Sequence, residues 1–188
     1  MSAHRIHQIH LLFVPEEDRL LLRINTQSRT EFRFWLTRRF VKRLWPGLRQ
    51  ALEVSSGLQG KAAVDPLARA AVLDFMHQQA VAQTDFSTRF DAVARETPLG
   101  PLPVLVTRAR IEPREQGGHM VSFHPQESYG IELAMAPKLL HSFCELLTDA
   151  VGKADWDLSM PLTTLANTGT PVDPGGLHNP AGGGYRIN

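Results

Sequence analysis

Cysteine, aromatic residues and long apolar runs are all scarce in this sequence. Cys144 is the only cysteine among the 188 residues, which excludes an internal disulfide and a cysteine-rich zinc site. No run approaches the roughly 20 apolar residues that span a bilayer. The first residues, Met1–Arg5, lead into no segment that resembles a signal peptide. We therefore expect a cytoplasmic protein that makes no membrane contact.

Sequence motifs for catalysis and metal binding are missing as well. The chain has no GxxxxGK phosphate loop, no GxGxxG after a strand and no GxSxG turn. His4, His7 and His10 are evenly spaced, but on a strand His7 points away from the other two. Cys144 falls on the apolar side of a predicted helix, which favours a packing role. We predict no catalytic residue, no metal site and no cofactor.

What the chain does have is enough apolar material for a core, and an uneven distribution of charge. Hydrophobic residues make up 43% of the chain and charged residues 21%, a composition typical of folded domains. Residues 1–60 hold ten Lys/Arg and five Asp/Glu, whereas residues 61–188 hold ten Lys/Arg and fourteen Asp/Glu. The first third of the chain is therefore basic, although the net charge is only +1.

The apolar pattern of the chain repeats at an offset of 99 residues. Leu20–Leu52 aligns without a gap with His119–Val151. Most aligned pairs are apolar in both copies, among them Ile24/Phe123, Phe34/Leu133, Leu44/Phe143 and Leu48/Leu147. Upstream, Ile6/Leu105 and Leu12/Ile111 keep the same offset. We predict an internal duplication; the alternative is two unrelated segments that share one local structure.

Each copy has the pattern of three strands followed by a helix. Ile6–Val14 is mostly apolar, and the two segments after it alternate apolar and polar residues as half-buried strands do. Thr37 is the expected N-cap of the first helix. Pro46 lies within that helix and is expected to kink or split it. In the second copy, the corresponding helix begins at Pro137.

A further helix is predicted between the copies, beginning at Asp65-Pro66. The residues expected on its buried side are Leu67, Ala70, Ala71, Phe75 and Met76. Residues 155–188, rich in proline and glycine, are predicted to form an irregular C-terminal arm.

These patterns predict an α+β fold made of an internally duplicated β-β-β-α unit, with antiparallel sheet or sheets and amphipathic helices packed on one face. Residues 1–154 form the predicted body, in which repeats at about 4–53 and 101–152 are joined by a helical segment at 54–100. The element order, the hairpin and the following amphipathic helix are similar to the tandem repeats of single-strand nucleic-acid binders of the Whirly and PUR kind. No functional residue is carried over from that likeness.

Strand alternation in the first copy predicts a basic, aromatic face opposite the helix. Arg19, Arg23, Arg33 and Trp35 share that face, and guanidinium groups beside an aromatic ring suit phosphates and stacked bases. In the second copy the corresponding positions are neither basic nor aromatic. The alternative is an ordinary solvated face, or one covered by the tail or a partner.

Arg38, Arg39, Lys42 and Arg43 form a basic strip at the start of the first helix. Cations at a helix N-terminus oppose the helix dipole, so we expect a compensating anion. The acids considered as internal partners are Glu96, Glu115 and Glu127; an external anion is the alternative.

The sequence therefore supports three ranked hypotheses. The first is a non-catalytic binding or assembly protein, with self-association or a protein partner and a C-terminal arm. The second is a binder of single-stranded nucleic acid. An enzyme is a distant third.

Overall fold

The computed structural model describes residues 5–58, 65–91, 96–126 and 129–162. These residues fold into six strands and three α-helices, with a short 3₁₀ turn after the first strand. The strands are β1 (Ile6–Val14), β2 (Arg19–Thr26), β3 (Glu31–Leu36), β4 (Val104–Pro113), β5 (His119–Pro125) and β6 (Ile131–Met135). The helices are α1 (Arg38–Ser55), α2 (Pro66–Ala82) and α3 (Pro137–Ala154). The fold is α+β, as the sequence predicts.

The six strands form one mixed sheet in the order β1-β2-β3-β4-β5-β6. Neighbours within β1–β3 and within β4–β6 are antiparallel. The two halves meet where β3 runs parallel to β4, through the pairs Phe34–Val104 and Trp35–Leu105. The prediction of purely antiparallel sheet is therefore wrong at this junction. The long crossover through α1 and α2 brings the chain back in the same direction, which a tight hairpin cannot do. We call β1–β3 the first half-sheet and β4–β6 the second.

Both half-sheets bury one face in a single core. Alternating apolar side chains of β2, β3, β5 and β6 are fully or almost fully buried. The rings of Phe34, Phe123 and Phe143 meet across this core, with centroid separations of 6.2 Å and 6.1 Å. Because these rings come from β3, β5 and α3, the two half-sheets and the helical layer share one hydrophobic interior.

Helix α1 begins at its predicted N-cap, where the Phe40 N–H donates to Thr37 Oγ1 at 3.2 Å. The helix continues without a break through Pro46, so the prediction of a split helix is wrong. Buried Trp45 and Leu48 on either side of the proline anchor the helix to the core, and this packing outweighs the missing backbone hydrogen bond.

Helices α1 and α3 each pack against the half-sheet that does not precede them in the chain. Helix α1 lies along β4, and α3 lies mainly against β1, with smaller contacts to β2 and β6. At the closest approach of α1, a β-carbon added to Gly47 would be only 3.2 Å from Ile111 Cδ1. This exchange of helices makes the two halves mutually dependent for burial of their apolar faces.

Helix α2 packs against α3 through a face that the sequence pattern did not predict. Leu73, His77 and Ala80 are buried, whereas Leu67 and Phe75 are 62% and 65% exposed. Ala71 is exposed as well, so the predicted buried stripe is wrong for these three residues, and Ala70 and Met76 are half-buried. Apolar residues occur all around this helix, so periodicity alone cannot choose which side docks.

The element bounds recur at the predicted spacing, since α1 and α3 begin at residues 38 and 137. The first strands, however, are offset by 100: Leu11 lies opposite Leu22, and Ile111 lies opposite Val121. The predicted Ile6/Leu105 and Leu12/Ile111 matches are therefore wrong by one residue, because the loop after β4 is one residue longer than the loop after β1. The recurrence is one of structure; descent by duplication stays a prediction.

Residues 155–162, the start of the predicted arm, lie against the body. Trp156 is 4% exposed, and its Nε1 donates to Asp18 Oδ1 at 2.7 Å. Trp45 Nε1 donates to the Pro161 carbonyl at 3.3 Å. Residues 163–188, the remainder of that arm, lie outside the described residues.

Candidate functional site

The predicted basic face of the first half-sheet is organised around a buried carboxylate. Glu31 is 2% exposed. It accepts hydrogen bonds from Arg23 Nε at 2.7 Å and from Arg33 Nε and Nη2 at 3.0 Å and 2.8 Å. The Arg33 guanidinium also donates to the Pro101 carbonyl at 2.9 Å. Both arginines are therefore engaged by groups of the chain itself.

The electrostatics of this cluster favour its charged form. Burial alone would raise the pKa of the Glu31 carboxyl, but hydrogen bonds from Arg33 and Arg23 hold that pKa below its usual value. In turn, the hydrogen bond to Glu31 raises the pKa of Arg33. One of the two positive charges in this cluster is thus neutralised by Glu31.

A connector segment lies over the same face. The Phe90 ring stacks on His10, with centroids 5.2 Å apart and planes at 24°, and Arg23 Cζ is 4.4 Å from the Phe90 centroid. Arg19 lies apart from this cluster and pairs with Glu17 at 3.5 Å. Trp35, which lies opposite Leu21, is half-buried. Much of the predicted platform is consequently covered by the chain's own residues.

The basic strip at the start of α1 has a different environment. Arg38, Arg39, Lys42 and Arg43 are all exposed. Within the described ranges, no carboxylate forms an ion pair with any of the four. Two of the considered internal partners, Glu96 and Glu115, form no ion pair with the strip, and Glu127 lies outside the described residues. The compensating anion is therefore not supplied by the described part of the chain.

Two of these cations line an open cleft of about 1080 Å³. Helix α1 contributes Arg39, Phe40 and Arg43 to one wall, and β4 contributes Arg108 and Arg110 to the floor. Arg108 forms no ion pair with a described residue, and Arg110 has only a 3.8 Å contact with Glu112, both side chains being well exposed. Pairs of this kind contribute little energy, so the arginines remain available to a ligand.

The rest of the floor comes from the outer face of the second half-sheet. Met120, Ser122 and His124 of β5 and Glu132 of β6 line the cleft together with Glu112. Four arginines therefore face two glutamates. Arg108 lies opposite His124, and Arg110 lies opposite Ser122, so these side chains share one face.

Arg108 and Arg110 were missed by the sequence interpretation, which considered only Gly118, Met120, Ser122, Glu132 and Ala134 for this face. A signal was present, because Arg108 and Arg110 alternate with Ala109 and Ile111 as in a half-buried strand. Arg108 and Arg110 lie near the arginines of α1 because β3 and β4 pair in parallel. The alternation of residues within one strand cannot predict that pairing.

The two outer faces differ at the position of the buried carboxylate, and Glu132 stands at the position of Arg33. Glu31 of the first half-sheet corresponds to Gly130 of the second, 99 residues later. A β-carbon at residue 130 would clash with the His124 ring, so the glycine allows the imidazole to lie close to the backbone. The second face therefore lacks the buried carboxylate that neutralises arginines on the first.

The chain has no match among known protein families, curated proteins or solved structures. Across the described residues, no three His, Cys, Asp or Glu side chains are grouped so as to hold a metal ion. None of the helices in those ranges is long and apolar enough to cross a bilayer.

Proposed function

We propose that this chain binds single-stranded nucleic acid in the cleft between α1 and β4. The observation that carries the proposal is the convergence of Arg39, Arg43, Arg108 and Arg110 on one open surface. Three of them lack an ion pair with any described residue. Several unneutralised arginines along a groove are what the phosphates of an extended strand require.

The shape of the cleft favours a single strand. Arg39 and Arg43 are one helical turn apart along one wall, whereas Arg108 and Arg110 point the same way from alternate positions of β4. Half-buried Phe40 and His124 offer flat surfaces on which unstacked bases can lie. Bases in a duplex are already stacked and present no free ring faces.

The test is fluorescence anisotropy with single-stranded DNA, single-stranded RNA and duplex DNA at several salt concentrations. Arg39→Glu with Arg43→Glu is expected to weaken single-strand binding about 100-fold at low salt, and to flatten the salt dependence by about 0.7 per lost phosphate contact. Arg38→Glu with Lys42→Glu is the matched control, because it makes the same charge change on the same helix outside the cleft.

Equal losses in the two double variants would mean that only overall charge matters, and would overturn the cleft as the site. Weakening by Arg33→Ala and Trp35→Ala alone would move the site to the first half-sheet. No binding by the unmodified protein at low salt would eliminate the nucleic-acid proposal.

Self-association through α2 is a second candidate function, and it retains the assembly hypothesis. Leu67, Val72 and Phe75 are 62%, 42% and 65% exposed. The helix carries one arginine, Arg69, and one aspartate, Asp74. This lack of net charge gives an oppositely charged partner nothing to recognise, whereas a second copy of the same face needs no charge complementarity.

Sedimentation velocity tests this second candidate. The protein concentration is varied between about 1 and 100 µM, because dimers with micromolar dissociation constants change population in that range. We expect a concentration-dependent dimer that Leu67→Ser with Phe75→Ser converts to a monomer. Leu102→Ser, at a 77% exposed site outside α2, serves as the control and should leave the dimer intact. A monomer throughout that range would exclude this candidate.

A further inference from the structure

The connector shows how the outer face of the first half-sheet holds a backbone segment, residues 89–91. Gln8 and Asn25 lie opposite each other on β1 and β2. Gln8 donates to the Arg89 carbonyl at 3.4 Å and accepts from the Asp91 N–H at 3.0 Å. Asn25 Nδ2 donates to the Asp91 carbonyl at 2.9 Å. Two neutral side-chain amides thus hydrogen-bond to a neutral peptide backbone.

The second half-sheet has an equivalent cross-strand pair, Arg108 and His124. Gln8 follows the irregularity in the pairing of β1 with β2, and Arg108 follows the same irregularity in the pairing of β4 with β5. Both pairs face away from the core, and the second pair lines the open cleft. The equivalence of the two pairs follows from their positions in the strand pairing, and it does not depend on sequence similarity.

The chemistry changes between the two pairs while the geometry is retained. A guanidinium and an imidazole replace the two amides; the guanidinium carries a fixed positive charge and favours an anionic acceptor over a peptide carbonyl, and the imidazole N–H is a further donor. Gly130 replaces the buried Glu31, so no carboxylate at that position competes for the donors. The second face therefore keeps the cross-strand pair that can hold a backbone. Its donors, however, favour an anionic backbone over a neutral one.

We propose that Arg108 and His124 bind the phosphate backbone of an extended single strand, laid across the second half-sheet as residues 89–91 lie across the first. This inference rests on the proposed nucleic-acid function. It adds the orientation of the strand and the pair of residues that selects a phosphodiester backbone over a peptide.

The test replaces the pair by its counterpart, Arg108→Gln with His124→Asn, and measures binding of a fluorescent oligothymidylate by anisotropy at several salt concentrations. We expect affinity to fall at least about 10-fold at low salt, and the salt slope to decrease by about 0.7 for the phosphate that Arg108 neutralises. Arg5→Gln, at the residue before β1, also removes one arginine charge and should change neither quantity appreciably. Circular dichroism and a melting curve verify that each variant is folded.

The outcomes separate this inference from the function on which it rests. Loss of binding in the Arg39/Arg43 charge-reversal variant, with unchanged affinity and slope in the Arg108/His124 variant, would overturn the orientation and leave the cleft as the site. A drop in affinity without a change in slope would also overturn it, because phosphate contact is its central claim. Absence of binding by the unmodified protein would defeat both proposals.

Discussion

Replacing Glu31 by alanine is expected to lower the free energy of unfolding by about 2–4 kcal/mol, the cost of removing one partner from a largely buried ion pair. The carboxylate is 2% exposed, and the side chains of Arg23 and Arg33 are 19% and 32% exposed. Alanine would leave both guanidinium groups facing each other across β2 and β3 with no anion between them. Because both arginine side chains keep some access to water, the expected loss of stability is smaller than for fully buried charges.

Urea denaturation of the wild type and of Glu31→Ala measures this loss, with tryptophan fluorescence as the signal. Asp149→Ala is the matched control, because its carboxylate pairs with Lys153 at 2.6 Å and both side chains are well exposed on α3, where such pairs contribute about 0.3–0.5 kcal/mol. Equal losses in the two variants would refute the special role of Glu31.

The same variant bears on function as well as stability. Removing Glu31 gives the first half-sheet the unneutralised arginines that the second already has. Tighter single-strand binding by Glu31→Ala than by the wild type would show that the buried carboxylate suppresses a second binding face. Unchanged binding would restrict the nucleic-acid proposal to the cleft.

Local patterns were sufficient to predict the elements and their order. Period-2 alternation in β2, β3, β5 and β6, together with helical spacing in α1 and α3, reflects burial on one side of each element. Thr37 was recognisable as an N-cap because a threonine directly before a helical pattern can accept a hydrogen bond from a backbone N–H of the first turn. In the structure that donor is the Phe40 N–H. These features depend only on neighbouring residues.

Long-range pairing set the limit of prediction. The parallel contact of β3 with β4 is confined to two residue pairs, too few to leave a pattern in either strand. Without knowledge of this contact, the cations of α1 and those of β4 are predicted to lie on separate surfaces. The docking side of α2 was equally hidden, because its polar anchors to α3 include His77, which a hydrophobic pattern ignores.

The cluster that docks α2 on α3 contains two buried histidines. His77 Nδ1 lies 3.2 Å from His141 Nδ1, and His77 Nε2 lies 3.1 Å from Glu145 Oε2. Because an ionised carboxylate only accepts, His77 carries its proton on Nε2 and accepts at Nδ1, so His141 donates from Nδ1. A second proton on His141, at Nε2, would leave this hydrogen bond in place but would put a positive charge in a buried site beside His77.

Acidification from pH 7.5 to 4.5 is therefore expected to remove about 2–3 kcal/mol of stability through His141 alone, at 1.36 kcal/mol per pKa unit. Burial, and then the nearby His77, lower the pKa of His141 from 6.5 to about 4. Between these values the unfolded chain binds a proton at this residue and the folded chain does not. The contribution is complete above pH 6.5 and is lost as the pH falls towards 4.

Urea denaturation of the wild type and His141→Asn across that pH range isolates the contribution. Asparagine places an amide near the position of Nδ1 but does not titrate, so the variant should lose about 2–3 kcal/mol less than the wild type on acidification. Subtracting the two curves also removes the effects of His10 and His119, whose pKa values burial lowers in both proteins. Parallel curves would mean that His141 accepts its proton as readily in the folded chain as in the unfolded one, and that the α2–α3 contact tolerates the charge.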